Sequence, residues 1–147
     1  MGLIVNKNGS VMVLEAVQPV KYTPLIQWIN RGEKQHYVVK RYKDNLTKEQ
    51  KEKLVKSAEQ YLGKPYDLYF NWNDQAIYCS ELVWKAYEQA LGIKLSPLET
   101  LKQFNLNEPR VKQLMKQRYG ESTPWNEIVI SPKSIYDSEL LKEVVKN

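Results

Sequence analysis

A single cysteine, a single histidine and two phenylalanines in 147 residues leave this chain short of the side chains from which many specialised sites are built. One cysteine excludes an intramolecular disulfide framework, and one cysteine with one histidine cannot assemble a cysteine/histidine zinc site. There is no glycine-rich phosphate loop and no His-Glu-x-x-His segment, so neither a nucleotide nor a metal cofactor is indicated. No stretch reaches the roughly 18 apolar residues of a membrane-spanning helix. The first residues also lack the basic-then-apolar layout of a secretory signal. Internal repeats and low-complexity linkers are absent as well.

The chain has 42% apolar residues and a length that suits one domain, 1–147, with a single core. The net charge of +5 raises the question of a nucleic-acid or anionic surface. Lys48, Lys51, Lys53 and Lys56, however, alternate with Glu49, Glu52 and Glu59 in the manner of a solvated helix face. Lys112, Lys116 and Arg118 near Tyr119 form a more one-sided cluster. No nucleic-acid partner is expected from charges spread in this way.

Strands and helices alternate along the chain. Residues 2–6 and 10–17 read as a hairpin across Asn8-Gly9. Thr23 reads as the cap of a short helix with Pro24 in its first turn, and a strand from Gln35 to Tyr42 follows. Thr47 reads as the cap of a longer helix through Leu62 that Gly63 ends. Ser96-Pro97-Leu98-Glu99 has a helix-start pattern, 109–119 reads as a helix, and Glu127 to Ile130 as a last strand.

The densest chemical signal is Ala76-Ile77-Tyr78-Cys79-Ser80-Glu81-Leu82-Val83-Trp84-Lys85-Ala86-Tyr87. Leu82, Val83, Ala86, Tyr87, Ala90 and Leu91 follow Cys79 at helical spacing, and Gly92 stops the helix. Turn-rich residues, Gly63-Lys64-Pro65-Tyr66-Asp67 and Asn71-Trp72-Asn73-Asp74, leave Cys79 in the first turn. Free N–H groups and the positive end of the helix dipole favour a thiolate there and offer hydrogen bonds to a developing oxyanion. By position alone, a lone cysteine on an apolar face is more often a small buried hydrophobe.

Three segments, in order, resemble circularly permuted papain-like amidases of the YiiX/YaeF type, relatives of the NlpC-type cell-wall hydrolases. They are Glu15-Ala16-Val17-Gln18-Pro19-Val20-Lys21-Tyr22-Thr23-Pro24-Leu25, Gly63-Lys64-Pro65-Tyr66-Asp67-Leu68-Tyr69-Phe70, and the cysteine helix itself. The resemblance implies an α+β papain-like fold of permuted topology, its antiparallel sheet packed on the helix that carries Cys79. It implies acyl transfer to Cys79 with Glu15 as third member of a Cys-His-Glu triad, the glutamate orienting the imidazole. Cell-wall peptides, N-acyl amino acids and lipids are the substrates it implies. It also leaves the compartment open, since full-length members are commonly exported to the cell envelope.

One departure stands out. In that family the activating histidine occupies a His-x-Gly-x-x segment on the strand before the glutamate. This chain begins Met1-Gly2-Leu3-Ile4-Val5, so with Gly2 as that glycine the histidine falls immediately before residue 1. The expectation is a domain lacking its N-terminal strand or helix, with a sheet edge open to self-association. A shortened chain and a protein that has lost its base both fit. The second gives an alternative reading, an inactive lipid- or peptide-binding protein that keeps the fold.

The remaining candidates have more ordinary readings beside the functional ones. Without the resemblance, Glu15 is a strand-end charge. His36, in Gln35-His36-Tyr37-Val38, reads as a surface or edge histidine. Glu81 and Lys85 read as an i,i+4 pair on the outer face of the helix, and Ser80 as a helix-start residue. Tyr66, Asp67 and Tyr78 approach Cys79 in sequence and either bind substrate or pack the cleft.

Overall fold

The Asn8-Gly9 turn works because both residues take positive φ, 52° and 82°, the geometry of a two-residue hairpin turn. It joins β1 (Leu3–Lys7) to β2 (Ser10–Glu15), with Leu3 opposite Leu14 and Lys7 opposite Ser10. β3 (Lys21–Pro24) lies on the other side of β2, giving a three-stranded antiparallel sheet in the order β1-β2-β3. This computed structural model describes residues 1–103 and 109–146, and of residues 109–112 and 114 the backbone only.

α1 (Leu25–Asn30) begins one residue later than a Thr23 cap requires. Thr23 is instead paired in β3 opposite Val13, and its hydroxyl donates to Glu15 Oε1 at 2.6 Å. A buried carboxylate has claimed the hydroxyl, and Pro24 occupies the cap without a side-chain bond. β4 (Val38–Tyr42) is shorter than the expected strand; His36 lies outside it and is exposed. α2 (Lys48–Glu59) starts with a capping box in which Thr47 and Gln50 satisfy each other's backbone N–H groups.

α3 (Cys79–Leu91) packs along α2 and ends at Gly92, whose φ of 67° suits the left-handed residue that closes a helix. Beyond it come β5 (Glu99–Thr100), α4 (Pro109–Tyr119), β6 (Ile128–Val129), α5 (Pro132–Tyr136) and β7 (Leu141–Lys146). The expected helix start at Ser96 is not formed. Trp84 Nε1 donates to the Ser96 carbonyl, and Glu99 and Thr100 pair with β6 instead. β7 returns to pair with β4.

Leu14, Ala16, Val20, Leu54, Ala58, Ile77, Leu82 and Ala86 form the central core between the three-stranded sheet, α2 and α3. Complete burial of each large aliphatic side chain contributes on the order of 2 kcal/mol. β2 is covered on both faces, since Val13, Leu14 and Glu15 are all buried. Strand alternation sends Leu14 and Ala16 toward α3, and Val13 and Glu15 to the opposite face, where α1 ends.

Candidate active site around Cys79

The loop that delivers Cys79 is clamped before the helix begins. Ile77 N–H donates to the Pro65 carbonyl at 3.1 Å and Asp67 N–H to the Ile77 carbonyl at 3.2 Å, a short parallel bridge between Tyr66 and Ile77. Gln18 Oε1 accepts from Tyr66 N–H at 2.7 Å, and Val20 N–H donates to the Lys64 carbonyl. Cys79 is then the first residue of α3, partly buried against the core. Its N–H is one of the helix's unsatisfied donors and has no partner among the described residues.

The Tyr66 phenol and the Cys79 thiol act on one another electrostatically. Burial and the sulfur together push this phenol up to about 12, with Arg118 pulling the other way. Asp67 is buried; its Oδ1 accepts from Tyr69 N–H at 2.7 Å, and its Oδ2 has no partner among the described residues. The Tyr78 ring is enclosed, edge-on to Phe70 at 5.0 Å between centroids. Its hydroxyl accepts Ile130 N–H at 3.0 Å. Burial raises the Tyr78 hydroxyl well above the ordinary phenol range. Ser80 Oγ donates to the Ile130 carbonyl at 2.7 Å, so the two residues flanking Cys79 grip the same backbone unit from both sides.

α4 closes this side of the site. Arg118 lies over the Phe70 ring at 4.4 Å, and the Tyr119 hydroxyl donates to the Tyr69 carbonyl. Phe70 itself has a positive φ of 55°, unusual for a bulky residue. Of the basic cluster noted in the sequence, Arg118 is turned to the cysteine loop; the Lys112 side chain lies outside the described residues.

Glu15 is only 3% exposed and fully engaged. Arg31, just past α1, places Nη2 at 2.6 and 2.7 Å from its two oxygens, and Thr23 adds the third bond. Gly2 faces it across the β1–β2 pair. A Cβ on Gly2 would meet Val13 Cγ1 at 2.6 Å, the Leu14 carbonyl at 2.8 Å and Glu15 Cβ at 3.1 Å, so only glycine lets the strands approach so closely here. No described hydrogen bond or ion pair joins Glu15 to Cys79.

Glu81 and Lys85 do not lie on an outer, solvated face. Both are buried, and Lys85 Nζ sits 2.7 Å from Glu81 Oε1 and 2.9 Å from Asp74 Oδ1, over the Trp72 ring. Glu81 Oε2 accepts from Tyr78 N–H at 3.3 Å. Asp74 also accepts from the Tyr61 hydroxyl at 3.1 Å. The loop of residues 71–77 covers the helix face that the sequence left open to solvent, and the ion pair ties that loop to α3. Burial pushes the Glu81 carboxyl up to about 7 despite Lys85 beside it.

The structure joins Tyr66 and Asp67 to the loop that delivers Tyr78 and Cys79, and bonds Glu15 to Arg31 and Thr23. Arg31 is the residue beside a candidate that spacing did not single out, and Arg118 was noted only as part of a basic cluster. A cavity of about 610 Å³ is lined by Gly2, Val13, Trp28, Tyr37 and Lys40 among others, and by neither Cys79 nor Glu15.

A family model described as permuted papain-like amidase enzyme, YaeF/YiiX, C92 family, matches residues 1–145. The chain belongs to this family. It is 48% identical over 145 residues to the protein YiiX of Escherichia coli (strain K12), covering 99% of this chain and 72% of that one. The crystal structure of yiiX from Escherichia coli O157:H7, described as a metalloprotein, superposes with a TM-score of 0.96 at 48% identity, covering 99% of this chain and 81% of that chain. Within this permuted papain-like domain, no three His, Cys, Asp or Glu side chains come close enough to share an ion among the described residues. The one buried carboxylate on β2, Glu15, is occupied by an arginine. These residues do not fit a metal centre.

Proposed function

We propose that this domain is a thiol hydrolase that cleaves amide or ester bonds of cell-wall peptides or N-acyl amino acids and lipids, with Cys79 as nucleophile. The observation that carries this reading is the placement of Cys79. It is the first residue of α3, partly buried against the core, and its N–H has no partner among the described residues. Sγ attacks the carbonyl carbon, and the oxygen takes up negative charge opposite the Cys79 N–H. Collapse breaks the C–N or C–O bond. The amine or alcohol leaves with a proton, and water then hydrolyses the thioester, returning the thiol and a carboxylic acid.

The base in this proposal is an imidazole oriented by Glu15. His36 is a poor candidate for it, being exposed outside β4. The close approach of Gly2 to Glu15 suits a strand held tightly beside that carboxylate. The second reading, a lipid- or peptide-binding protein without turnover, draws on a different observation. Glu15 already has three hydrogen bonds and needs no imidazole to satisfy it.

The test compares this chain with one preceded by histidine, each incubated with p-nitrophenyl octanoate and with N-octanoyl-L-alanine. Released acid and intact mass are the readouts. The expected result is an octanoyl adduct confined to Cys79, turned over by the extended chain and absent from Cys79→Ala. If neither chain acylates Cys79 or releases acid, the hydrolase reading is wrong and the binding reading takes its place.

A further inference from the structure

A carboxylate is costly to bury unless it is paired and hydrogen-bonded, yet the first turn of α3 buries Glu81 completely. Its two oxygens serve different ends. Oε2 accepts the N–H of Tyr78, the residue immediately before Cys79, at 3.3 Å. Oε1 lies 2.7 Å from Lys85 Nζ, one turn further along the helix. A glutamate and a lysine at this spacing support a helix from its solvated face as well, so helix support alone does not account for the burial.

Lys85 carries the connection outward. Its Nζ is 2.9 Å from Asp74 Oδ1 and 3.3 Å from the Asn73 carbonyl, and it lies over the Trp72 ring at 4.7 Å. Three consecutive loop residues are thus fixed to one ammonium held in α3. Trp72 packs edge-on against Trp84 of the same helix at 5.5 Å between centroids, and its N–H donates to Glu127 Oε1 at 2.9 Å. From this loop the chain passes through the bridge at Ile77 and enters α3 at Cys79. Only Tyr78 lies between them. Its carbonyl accepts Leu82 N–H at 3.0 Å, so with Glu81 on its N–H both of its backbone groups are committed to the first turn of α3. The Tyr78 carbonyl and the Cys79 N–H share one peptide plane, and the direction of that plane decides where the free N–H points.

We propose that Glu81 is a positioning residue for the chemistry of Cys79: through the Tyr78 N–H it fixes how the chain enters α3, and so aims the Cys79 N–H and sulfur, while Lys85 and Asp74 hold the carboxylate in place. The catalytic meaning of that aim rests on the thiol-hydrolase reading, in which the Cys79 N–H receives the oxyanion. No hydrogen bond or ion pair joins Glu81 to Cys79 among the described residues, so Glu81 acts through the backbone. The role requires an acceptor at this position and not a charge. Glutamine keeps an oxygen for the Tyr78 N–H; methionine, of similar size, has none to match it.

The experiment compares the parent chain with Glu81→Gln, Glu81→Met and Asp74→Ala. The readouts are amide hydrogen exchange at Tyr78, alkylation of Cys79 by iodoacetamide, and acylation of Cys79 by p-nitrophenyl octanoate. Glu81→Met should speed exchange of the Tyr78 amide by at least about tenfold and slow both reactions of Cys79 by about tenfold. Glu81→Gln should keep all three within about twofold of the parent, a rescue that lost packing would not give. The Asp74 side chain is 64% exposed, so Asp74→Ala spares the core; it should move the same readouts in the same direction by about two- to threefold. A Tyr78 amide that stays protected in Glu81→Met, or a Glu81→Gln chain as slow as Glu81→Met, overturns the assignment. Where Glu81→Met loses its fold, unchanged exchange and alkylation in Asp74→Ala overturn it instead. Slowed alkylation with no acylation by the ester in any chain upholds the positioning of Cys79 while the hydrolase reading fails; equal acylation in all four chains does the reverse.

Discussion

One nitrogen of Arg31, Nη2, bonds both carboxylate oxygens of Glu15, at 2.6 and 2.7 Å. The carboxylate is buried at 4% side-chain exposure, while the arginine remains 49% exposed. The pair therefore closes the sheet face at the end of α1 with a charge that water reaches from one side only. Removing the arginine leaves a buried carboxylate with the Thr23 hydroxyl alone. Arg31→Met should cost about 1–2 kcal/mol in urea denaturation, the figure reduced for the exposure of the guanidinium. Glu15→Gln combined with Arg31→Met should recover part of that loss. Additive losses in the double variant would mean that the two residues do not act as a pair.

The Glu81 carboxyl gives a pH dependence with a definite sign. Burial raises it from an ordinary 4.5 to about 7, so the folded protein keeps a proton that the unfolded chain has released. Stability is thus greatest on the acid side of this range and declines as pH rises from about 4.5 through about 7. Asp74 is held below its ordinary range by Lys85, so its contribution is lost only at lower pH. Lys85 is held charged above its ordinary range, chiefly by Asp74 and Glu81 against its own desolvation, and is lost only in strong alkali. The expected decline is on the order of 1–3 kcal/mol between about pH 5 and about pH 8, with Glu81→Gln flattening it. A Glu81→Gln curve parallel to that of the parent chain would remove Glu81 as the cause.

These two clusters show what spacing can and cannot reveal. The helix from Cys79 to Leu91, its stop at Gly92 and the hairpin across Asn8-Gly9 were legible because each depends on local periodicity or on a backbone conformation that few residues adopt. Glu81 and Lys85 were legible as an i,i+4 pair, but their burial was not, because the covering loop carries Asn71, Asn73 and Asp74 and has no apolar pattern. Thr23 has the signature of a cap, yet its hydroxyl answers a carboxylate eight residues away. Arg31 and Arg118 reach their partners through tertiary approach alone. β7 went unread because a short, largely exposed strand that pairs only with β4 lacks a core-facing stripe. The family resemblance supplied the role of Glu15, while Tyr66 and Asp67 were candidates by their approach to Cys79 in sequence.

Tyr78 separates a scaffold role from a substrate-binding one. Its hydroxyl accepts the buried Ile130 N–H, and its residue is 2% exposed. Tyr78→Phe keeps the ring against Phe70 and leaves that N–H without an acceptor. The expected outcome is a loss of about 1–2 kcal/mol in stability with KM for the cleaved amide unchanged. A raised KM with unchanged stability would move Tyr78 from the scaffold to the substrate.

Tyr66 makes the opposite kind of prediction, because its hydroxyl is coupled electrostatically to Cys79 and has no backbone partner among the described residues. A phenol beside a sulfur is placed to donate to it, and the rate of iodoacetamide alkylation reads whether it does. Tyr66→Phe preserves the ring and its packing while removing the donor. Alkylation of Cys79 at neutral pH should slow by about three- to tenfold in the folded variant, and by nothing in urea, where both chains expose an ordinary thiol. An unchanged folded-state rate would show that the hydroxyl does not act on the sulfur. A faster rate would mean that it chiefly shields Cys79 from solvent, and the oxyanion would then depend on the Cys79 N–H alone.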